Sequence, residues 1–305
     1  MTTDASPGTT DEVNGLGIVG ALVAVSTWGA SSVVAKHIDM GGLAIAAYRF
    51  GSYGLVVALV MAMRRNRVGW RVMRASMAGG IALGLDVAFF FSAIKLTTVA
   101  NATVIGALQP VVVAITANRF FGEVIRPRDI VLGLTAIVGV TVVVMGAATD
   151  APTDWRGDVL AVGALFAWSA YFIFARQAKG VITSNEYTVG AALWVAIINA
   201  PLALVFSQSM AWPSFDNWFW LLVMAFGSGI LGHAAMNWSL QQIPLWLGST
   251  FTLLVPVVSS TAAWLWFGEP ITAIQIMAIG VVLAALTGVI TGQAGIGSRP
   301  RPLRR

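Results

Sequence analysis

The chain lacks cysteine altogether, and only two of its 305 residues are histidine. Without cysteine there is no disulfide, no thiol nucleophile and no thiolate metal ligand. Because His233 falls in an apolar run and His37 in a predicted loop, a histidine metal site is not expected either. The sequence also contains no Walker A loop, no H-E-x-x-H motif and no G-x-S-x-G motif. We therefore expect no cofactor, no metal ion and no ATP-driven pumping by this chain itself.

Charged residues are also scarce. They make up 10% of the chain, whereas about 25% is usual in a soluble domain. Hydrophobic residues make up 57%, and the mean hydropathy is +0.81. Because one span needs about 20 apolar residues, the sequence predicts an all-α integral membrane protein with ten transmembrane helices. We place these spans at 15–36, 41–63, 76–96, 97–121, 129–148, 157–176, 186–207, 217–240, 244–267 and 272–292.

Two of the apolar runs repeat each other. Pro110 is followed after 13 residues by Glu123, and Pro256 is followed after 13 residues by Glu269, with glycine before each glutamate. One offset of 146 therefore superimposes both pairs, and Trp28 matches Trp168 at an offset of 140. The repeat implies two similar halves. The predicted domains are a disordered cytoplasmic tail (1–14), a first repeat of spans 1–5 (15–148), a second repeat of spans 6–10 (156–292) and a basic cytoplasmic tail (293–305).

The order and charge of the spans predict how the halves lie in the membrane. Five spans per half is an odd number, so the second half enters from the opposite side and the repeat is inverted, as in secondary transporters. With both termini in the cytoplasm, only Lys36, Lys95 and Arg156 of the 18 basic residues lie in outside loops, which is the skew of the positive-inside rule. The excess of basic residues thus indicates contact with anionic lipid headgroups rather than with nucleic acid.

The pattern resembles the drug/metabolite transporter superfamily in its EamA-type branch, over residues 15–292. The resemblance rests on the ten spans, on Trp28-Gly29 with Lys36, on Tyr48-Arg49-Phe50, on Ala93 before a short turn, and on the doubled proline and Gly-Glu pattern. It implies a basket of helices in which spans 1, 3, 4, 6, 8 and 9 surround a central cavity while spans 5 and 10 are peripheral. It also implies export of small organic molecules, amino acids among them, across the cell (inner or plasma) membrane.

Ionisable residues inside the predicted spans are the first candidates for the substrate pathway. A charge at Asp86 costs on the order of 3 kcal/mol at mid-span, so this carboxyl should face a wet cavity or carry a proton. His233 forms one helical face with Gly229, Asn237 and Gln241 at four-residue spacing. Arg49 could bind a substrate carboxylate or balance Asp86. Each has a structural alternative: Asp86 could form a hydrogen bond to a neighbouring helix, His233 could be a packing residue, and the Arg49 side chain could snorkel outward.

A second set of candidates lies around the repeated runs. The repeat mates Trp28 and Trp168 sit in mid-span and are candidates for lining or gating the cavity. Asn101 and Gln109 share one face of span 4, and Gln109 could satisfy the carbonyl group that Pro110 frees one turn back. We interpret Pro110 and Pro256 as hinges around which the halves rock, although each could simply kink its helix. Glu123 and Glu269 are interpreted as helix-end anchors or gate residues.

Two classes of function follow from these residues. The first is a secondary active or facilitative transporter that exports small organic metabolites, such as amino acids or amphipathic compounds, by alternating access; proton coupling through Asp86 is one version of it. The alternative is an intramembrane enzyme with Asp86 and His233 as an acid–base pair, which would also need a nucleophile or a metal set. The expected partners are a small-molecule substrate, the lipid bilayer and, in the coupled version, protons; the sequence is compatible with both a monomer and a homodimer.

Overall fold

The structure, a computed structural model, describes residues 14–65, 68–146 and 154–297. In these residues ten helices are long and apolar enough to cross a membrane, so the predicted all-α, ten-span fold is confirmed. They are α1 (Gly15–Ala35), α2 (Gly42–Met63), α3 (Trp70–Ala93), α4 (Val99–Phe121), α5 (Pro127–Met145), α6 (Trp155–Gln177), α7 (Ser184–Val205), α8 (Phe215–Ser239), α9 (Leu245–Phe267) and α10 (Ala273–Gly297).

The largest difference from the predicted boundaries concerns α3, which begins at Trp70 rather than at 76. Arg71 and Arg74 suggested a loop, but a helix can carry arginines in its first turns when their long side chains reach the headgroup layer. Asp86 therefore lies seven residues, about 10 Å, from the end of α3 and not at its midpoint. At the other terminus, α10 continues to Gly297, into the predicted tail 293–305. Residues 298–305 of that tail and residues 1–13 of the N-terminal tail lie outside the described residues.

The helix ends follow from local sequence. The Asn14 side chain accepts a hydrogen bond from Leu16 N at 3.0 Å and caps α1. Gly122 and Gly268 end α4 and α9 in the left-handed conformation, at φ 66° and 68°. Only glycine adopts that conformation without strain, and it commonly terminates helices. In each repeat the glycine therefore ends the helix and fixes the position of the glutamate that follows it.

Three of the ten helices are interrupted. Helix α4 breaks after Gly106 and restarts at Gln109, so that Pro110 is the second residue of the new segment. Helix α9 contains a 3₁₀ turn at Phe251–Leu253, just before Pro256. The sequence predicted kinks at both prolines. What it did not predict is the π-helical stretch Ala225–His233 in α8, a widening that is frequent at functional sites.

Equivalent helices of the two halves make equivalent packing contacts. Helix α1 packs against α8 and α9, and its counterpart α6 packs against α3 and α4. Helices α2 and α7 pack against each other, as do the peripheral helices α5 and α10. We call α3, α4 and α6 the first bundle, and α1, α8 and α9 the second bundle. The arrangement agrees with the predicted repeat and with a scaffold position for α5 and α10.

The surface of the helices is apolar, as a lipid-facing surface requires. Ile115, Val138 and Leu204 are each more than half exposed. The end of the protein at which α1 begins carries Arg64, Arg71, Arg126 and Arg176, and we call it the basic end. The opposite end is where α1 finishes and α4 begins. The helices thus form a membrane-spanning body with two chemically different ends.

Candidate functional site

Aromatic side chains from both halves meet in the middle of the protein. The repeat mates Trp28 and Trp168 are in edge-to-face contact, with ring centroids 5.2 Å apart. The His233 ring lies 5.1 Å from Trp28 and 5.4 Å from Phe50. The indole Nε1 of Trp28 donates to the Ser228 carbonyl oxygen at 3.1 Å, inside the π-helical stretch. The structure therefore brings together three of the predicted residues, Trp28, Trp168 and His233.

A buried polar network continues from this aromatic cluster. The Tyr171 hydroxyl lies 3.2 Å from His233 Nδ1 and accepts a hydrogen bond from Asn237 Nδ2 at 2.8 Å. Asn237 Nδ2 also donates to Thr188 Oγ1 at 2.8 Å. Of the residues predicted to form one face of α8, His233 and Asn237 thus both contact the Tyr171 hydroxyl. Gly229 instead packs against Tyr53, and Gln241 lies beyond the end of α8.

Arg49 lies beside this network, and no hydrogen bond joins its guanidinium to another side chain or backbone group in the described residues. Its guanidinium carbon is 4.8 Å from the centre of the Phe50 ring, which itself contacts Tyr53 and His233. Its Nε atom is buried and makes no hydrogen bond to any described residue. A buried cation without a partner is costly in a membrane. The group is therefore available to an anionic ligand.

Asp86 is the acidic counterpart at a similar depth. It shares a face of α3 with Leu83 and Phe90, and it is partly accessible. Among the described residues it has no hydrogen bond and no ion pair, with Arg49 or with any other cation. The predicted charge balance between Arg49 and Asp86 is thus not a direct contact. Both groups lie seven residues from the end of their helix at the opposite end of the protein.

Two of the predicted pathway residues lie elsewhere. Asn101 is in the first turn of α4 at the opposite end, where its Nδ2 donates to Thr97 Oγ1 at 3.1 Å. Gln109 is fully buried at the break in α4, and its Oε1 accepts from Thr252 Oγ1 at 3.0 Å, in the 3₁₀ turn of α9. Its Nε2 has no hydrogen-bond partner among the described residues. Gln109 thus joins the two helix breaks rather than lining the aromatic cluster.

The two glutamates lie at opposite ends in different surroundings. At the basic end, Glu123 accepts hydrogen bonds from the first amides of α9, Leu245 N at 2.7 Å and Trp246 N at 3.1 Å. It also pairs with Arg176, and both side chains are about one-tenth exposed. At the other end Glu269 pairs with Lys36, and both of those side chains are about half exposed. Glu123 and Glu269, both predicted as anchors or gate residues, thus make different contacts at the two ends.

Several residues of the site are absent from our predictions. Tyr171, Tyr53, Tyr187 and Thr188 all belong to the network or to the aromatic groups around it. The last three come from α2 and α7, which the resemblance did not place around the cavity. A signal existed for Tyr171, which follows Trp168 by three residues and so shares its helical face. No local pattern indicated the α7 residues, because their role arises from packing against the other half.

The chemistry of the site is that of binding. It combines the Arg49 guanidinium, neutral hydrogen-bonding groups and several aromatic rings, with the Asp86 carboxyl at a similar depth; neither charged group has an ion-pair partner among the described residues. The described residues contain no group of three or more His, Asp or Glu side chains that could hold a metal ion. Such a set suits a small molecule with an amine, a carboxylate and an apolar part.

Comparisons with known proteins agree with this arrangement. The family model described as the EamA-like transporter family matches residues 15–145 and again residues 155–291. A crystal structure with a TM-score of 0.77 and 20% sequence identity covers 91% of this chain and 98% of its own, which indicates the same fold.

Curated relatives carry the names of exporters. The aromatic amino acid exporter YddG of Ancylobacter novellus is 31% identical over 156 residues, which is 50% of this chain and 52% of that relative. The threonine/homoserine exporter RhtA of Salmonella typhimurium is 24% identical over 278 residues, 90% of each chain. A probable amino-acid metabolite efflux pump of Salmonella typhimurium is 25% identical over 283 residues, covering 87% of this chain and 92% of its own.

Proposed function

Because the chain belongs to the EamA-like transporter family, we propose that it exports small amino-acid-type metabolites across the cell (inner or plasma) membrane by alternating access. The relatives named as amino acid exporters support this choice of substrate class. The positive-inside rule places the basic end in the cytoplasm. Substrate then enters at that end, binds among the central aromatic rings and leaves at the opposite end.

The observation that carries the proposal is a pair of oppositely charged groups, Arg49 beside the aromatic cluster and Asp86 at a similar depth in the membrane, that have no ion-pair partner among the described residues. Arg49 offers a guanidinium to a carboxylate, and Asp86 offers a carboxyl to an amine. Trp28, Trp168 and Phe50 provide apolar surface for a side chain. A zwitterion with an apolar side chain satisfies all three requirements, whereas a fatty acid or a simple amine leaves one charged group unpaired.

Substrate analogues test the assignment of the charged groups. In proteoliposomes that contain the purified protein, we expect counterflow of an aromatic amino acid to exceed that of its methyl ester by about tenfold or more, because the ester cannot form the charge-assisted hydrogen bond with Arg49. In Arg49→Ala this preference should disappear, and the amino acid should fall to the rate of the ester.

Arg119→Ala is the matched control, because Arg119 lies on the exposed end of α4. This variant should keep the wild-type preference for the amino acid. Equal transport of amino acid and ester by the wild-type protein would contradict the role of Arg49. If neither compound moved while a different metabolite did, the substrate class would be wrong and the transporter assignment would remain.

The hinge role proposed for Pro110 predicts a change in rate without a change in preference. Pro110 restarts α4 after its break, and alanine at this position would let the helix run on. We expect Pro110→Ala to slow counterflow several-fold for every amino acid that the protein carries, while the ratios between them stay constant. Trp28→Ala is the comparison variant and should change those ratios. A changed preference in Pro110→Ala would place the proline in the binding site instead.

An intramembrane enzyme is the weaker candidate. His233 is buried in contact with Tyr171, Trp28 and Phe50, and within the described residues Asp86 forms no hydrogen bond or ion pair with it. The two groups therefore do not form the acid–base pair that the alternative needs. Chemical turnover of a lipid or peptide by the purified protein, without flux, would favour the enzyme.

A further inference from the structure

Glu123 and Glu269 occupy equivalent positions in the two halves, yet they do different things in this structure. Each follows a left-handed glycine at the end of a broken helix, and each lies beside a cation at the end of another helix of its own bundle, Arg176 of α6 or Lys36 of α1. Arg176 and Lys36 also match in the repeat, at an offset of 140. The chain thus contains two equivalent pairs of a glutamate and a basic residue, one at each end of the membrane.

The pair at the basic end joins the two bundles. Glu123 of α4 binds the first amides of α9, so that a carboxylate of the first bundle caps a helix of the second. Helix α9 has no side-chain cap of its own, because Pro244 occupies its N-cap position. Arg176 of α6 donates to the Leu240 and Ile243 carbonyl oxygens at 2.8 and 3.4 Å, beyond the end of α8. Glu123 and Arg176 thus both close the basic end by crossing between the bundles.

The pair at the opposite end stays within one bundle. Lys36 of α1 and Glu269 of α9 both belong to the second bundle, and their ion pair is half exposed. Within the described residues, the first segment of α4 (Val99–Gly106) packs mainly on α6 and α5, and not extensively on the last segment of α9 (Leu254–Phe267). At the basic end, by contrast, the second segment of α4 packs on the start of α9. The opposite end is therefore the open one.

The start of α4 offers Glu269 the site that α9 offers Glu123. Under the offset of 146, Leu245 and Trp246 correspond to Val99 and Ala100. Thr98 caps α4 by accepting from Asn101 N at 3.0 Å, which leaves the Val99 and Ala100 amides without an acceptor among the described residues. Two such amides at a helix N-terminus form a site for a carboxylate.

We propose that Glu123 and Glu269 are alternate caps that position the two bundles. In the present state Glu123 caps α9 and closes the basic end; in the other state Glu269 leaves Lys36, caps α4 through the Val99 and Ala100 amides, and closes the opposite end. The inference rests on the alternating access of the proposed function. Glu123 and Glu269 hold one state each, and the backbone amides that they bind differ between the two states.

Spin-label distances test the exchange directly, because the natural chain has no cysteine and introduced cysteines have no background. One labelled pair, Val99→Cys with Trp266→Cys, spans the opposite end. The other pair, Val124→Cys with Leu16→Cys, spans the basic end. All four side chains are more than half exposed, so labels should be tolerated. Double electron–electron resonance in lipid nanodiscs then measures both openings without any substrate.

Reciprocal shifts are the expected result. Glu269→Gln should lengthen the opposite-end distance and shorten the basic-end distance, and Glu123→Gln should do the reverse. The ratio of open to closed populations should change by about tenfold in each, as expected for loss of one charge-assisted hydrogen bond. The double variant should return towards the wild-type distribution. Glu186→Gln, which alters only the capping box of α7, should shift neither distance.

Each other outcome has a definite meaning. Shifts in the same direction for both single variants, or no shift in either, would overturn the alternate caps. Flux measured on the same variants separates this inference from the proposed function: reciprocal shifts without amino acid flux would leave the caps intact and reject the substrate, whereas flux without reciprocal shifts would do the opposite.

Discussion

Asp86→Asn lowers amino acid export by about tenfold or more, because the amide cannot form the charge-assisted hydrogen bond that a carboxylate offers to a substrate amine. We also expect export by this variant to lose its response to a pH gradient. The wild-type carboxyl is partly accessible and forms no ion pair with any cation in the described part of the chain, so we expect it to give up a proton on one side of the membrane and regain it on the other. An exporter that exchanges substrate for protons runs faster when the outside is more acidic. In the variant, rates with and without the gradient should be equal.

Proteoliposomes loaded with labelled substrate measure both effects. Asp216→Asn is the matched control, because Asp216 is an exposed carboxylate in the first turn of α8 and should leave both rate and pH response unchanged. A variant at Asp86 that kept the wild-type rate and the wild-type pH response would assign this carboxyl a structural role. Loss of rate with an unchanged pH response would keep Asp86 as a substrate ligand and place proton coupling elsewhere.

Gly80→Val lowers the unfolding temperature by about 2–12 °C, because it disturbs the packing of two helices. Gly80 lies where α3 crosses α7, and a Cβ atom there would come within 3.0 Å of the Ala191 Cα and carbonyl oxygen. Backbone atoms cannot move aside as a side chain can, so the two helices must separate. Overpacking of this kind costs about 1–3 kcal/mol, and each kcal/mol corresponds to about 2–4 °C in a chain of this size.

Thermal unfolding of purified protein in detergent, followed by size-exclusion chromatography, provides the measurement. Gly133→Val makes the same chemical change in the middle of α5, where a Cβ atom would meet no atom within 4 Å. It should shift the unfolding temperature by less than the Gly80 variant. Equal shifts would mean that the loss of a helical glycine, and not the crossing of α3 and α7, determines the effect.

The sequence contained enough to predict the fold because each span must be apolar over its whole length. The offset of 146 between the proline and Gly-Glu patterns also indicated correctly that the halves match. The start of α3 was missed because arginines in a first helical turn look the same as arginines in a loop. The π-helical stretch of α8 was missed since nothing in Ala225–His233 distinguishes a π-helix from an α-helix.

The site was less predictable than the fold. Trp28, Trp168 and His233 were predicted because an aromatic or ionisable residue in mid-span is conspicuous, and in the structure these three side chains are in contact. The tyrosine and threonine partners were not found, since a hydroxyl inside a span is common and its partner is set by contacts between the halves. For Glu123 the repeat indicated a shared role with Glu269. Only the structure distinguishes them, because the difference lies in which bundle the carboxylate reaches.

The hydrogen bond between Gln109 and Thr252 places the two helix breaks in contact with each other. From this point the second segment of α4 extends 13 residues to Phe121, a rigid lever about 18 Å long. Turning it by about 10° moves its far end by about 3 Å, which is the length of a hydrogen bond. So small an angle is enough to carry Glu123 away from the amides of α9, while the atoms at the pivot hardly move.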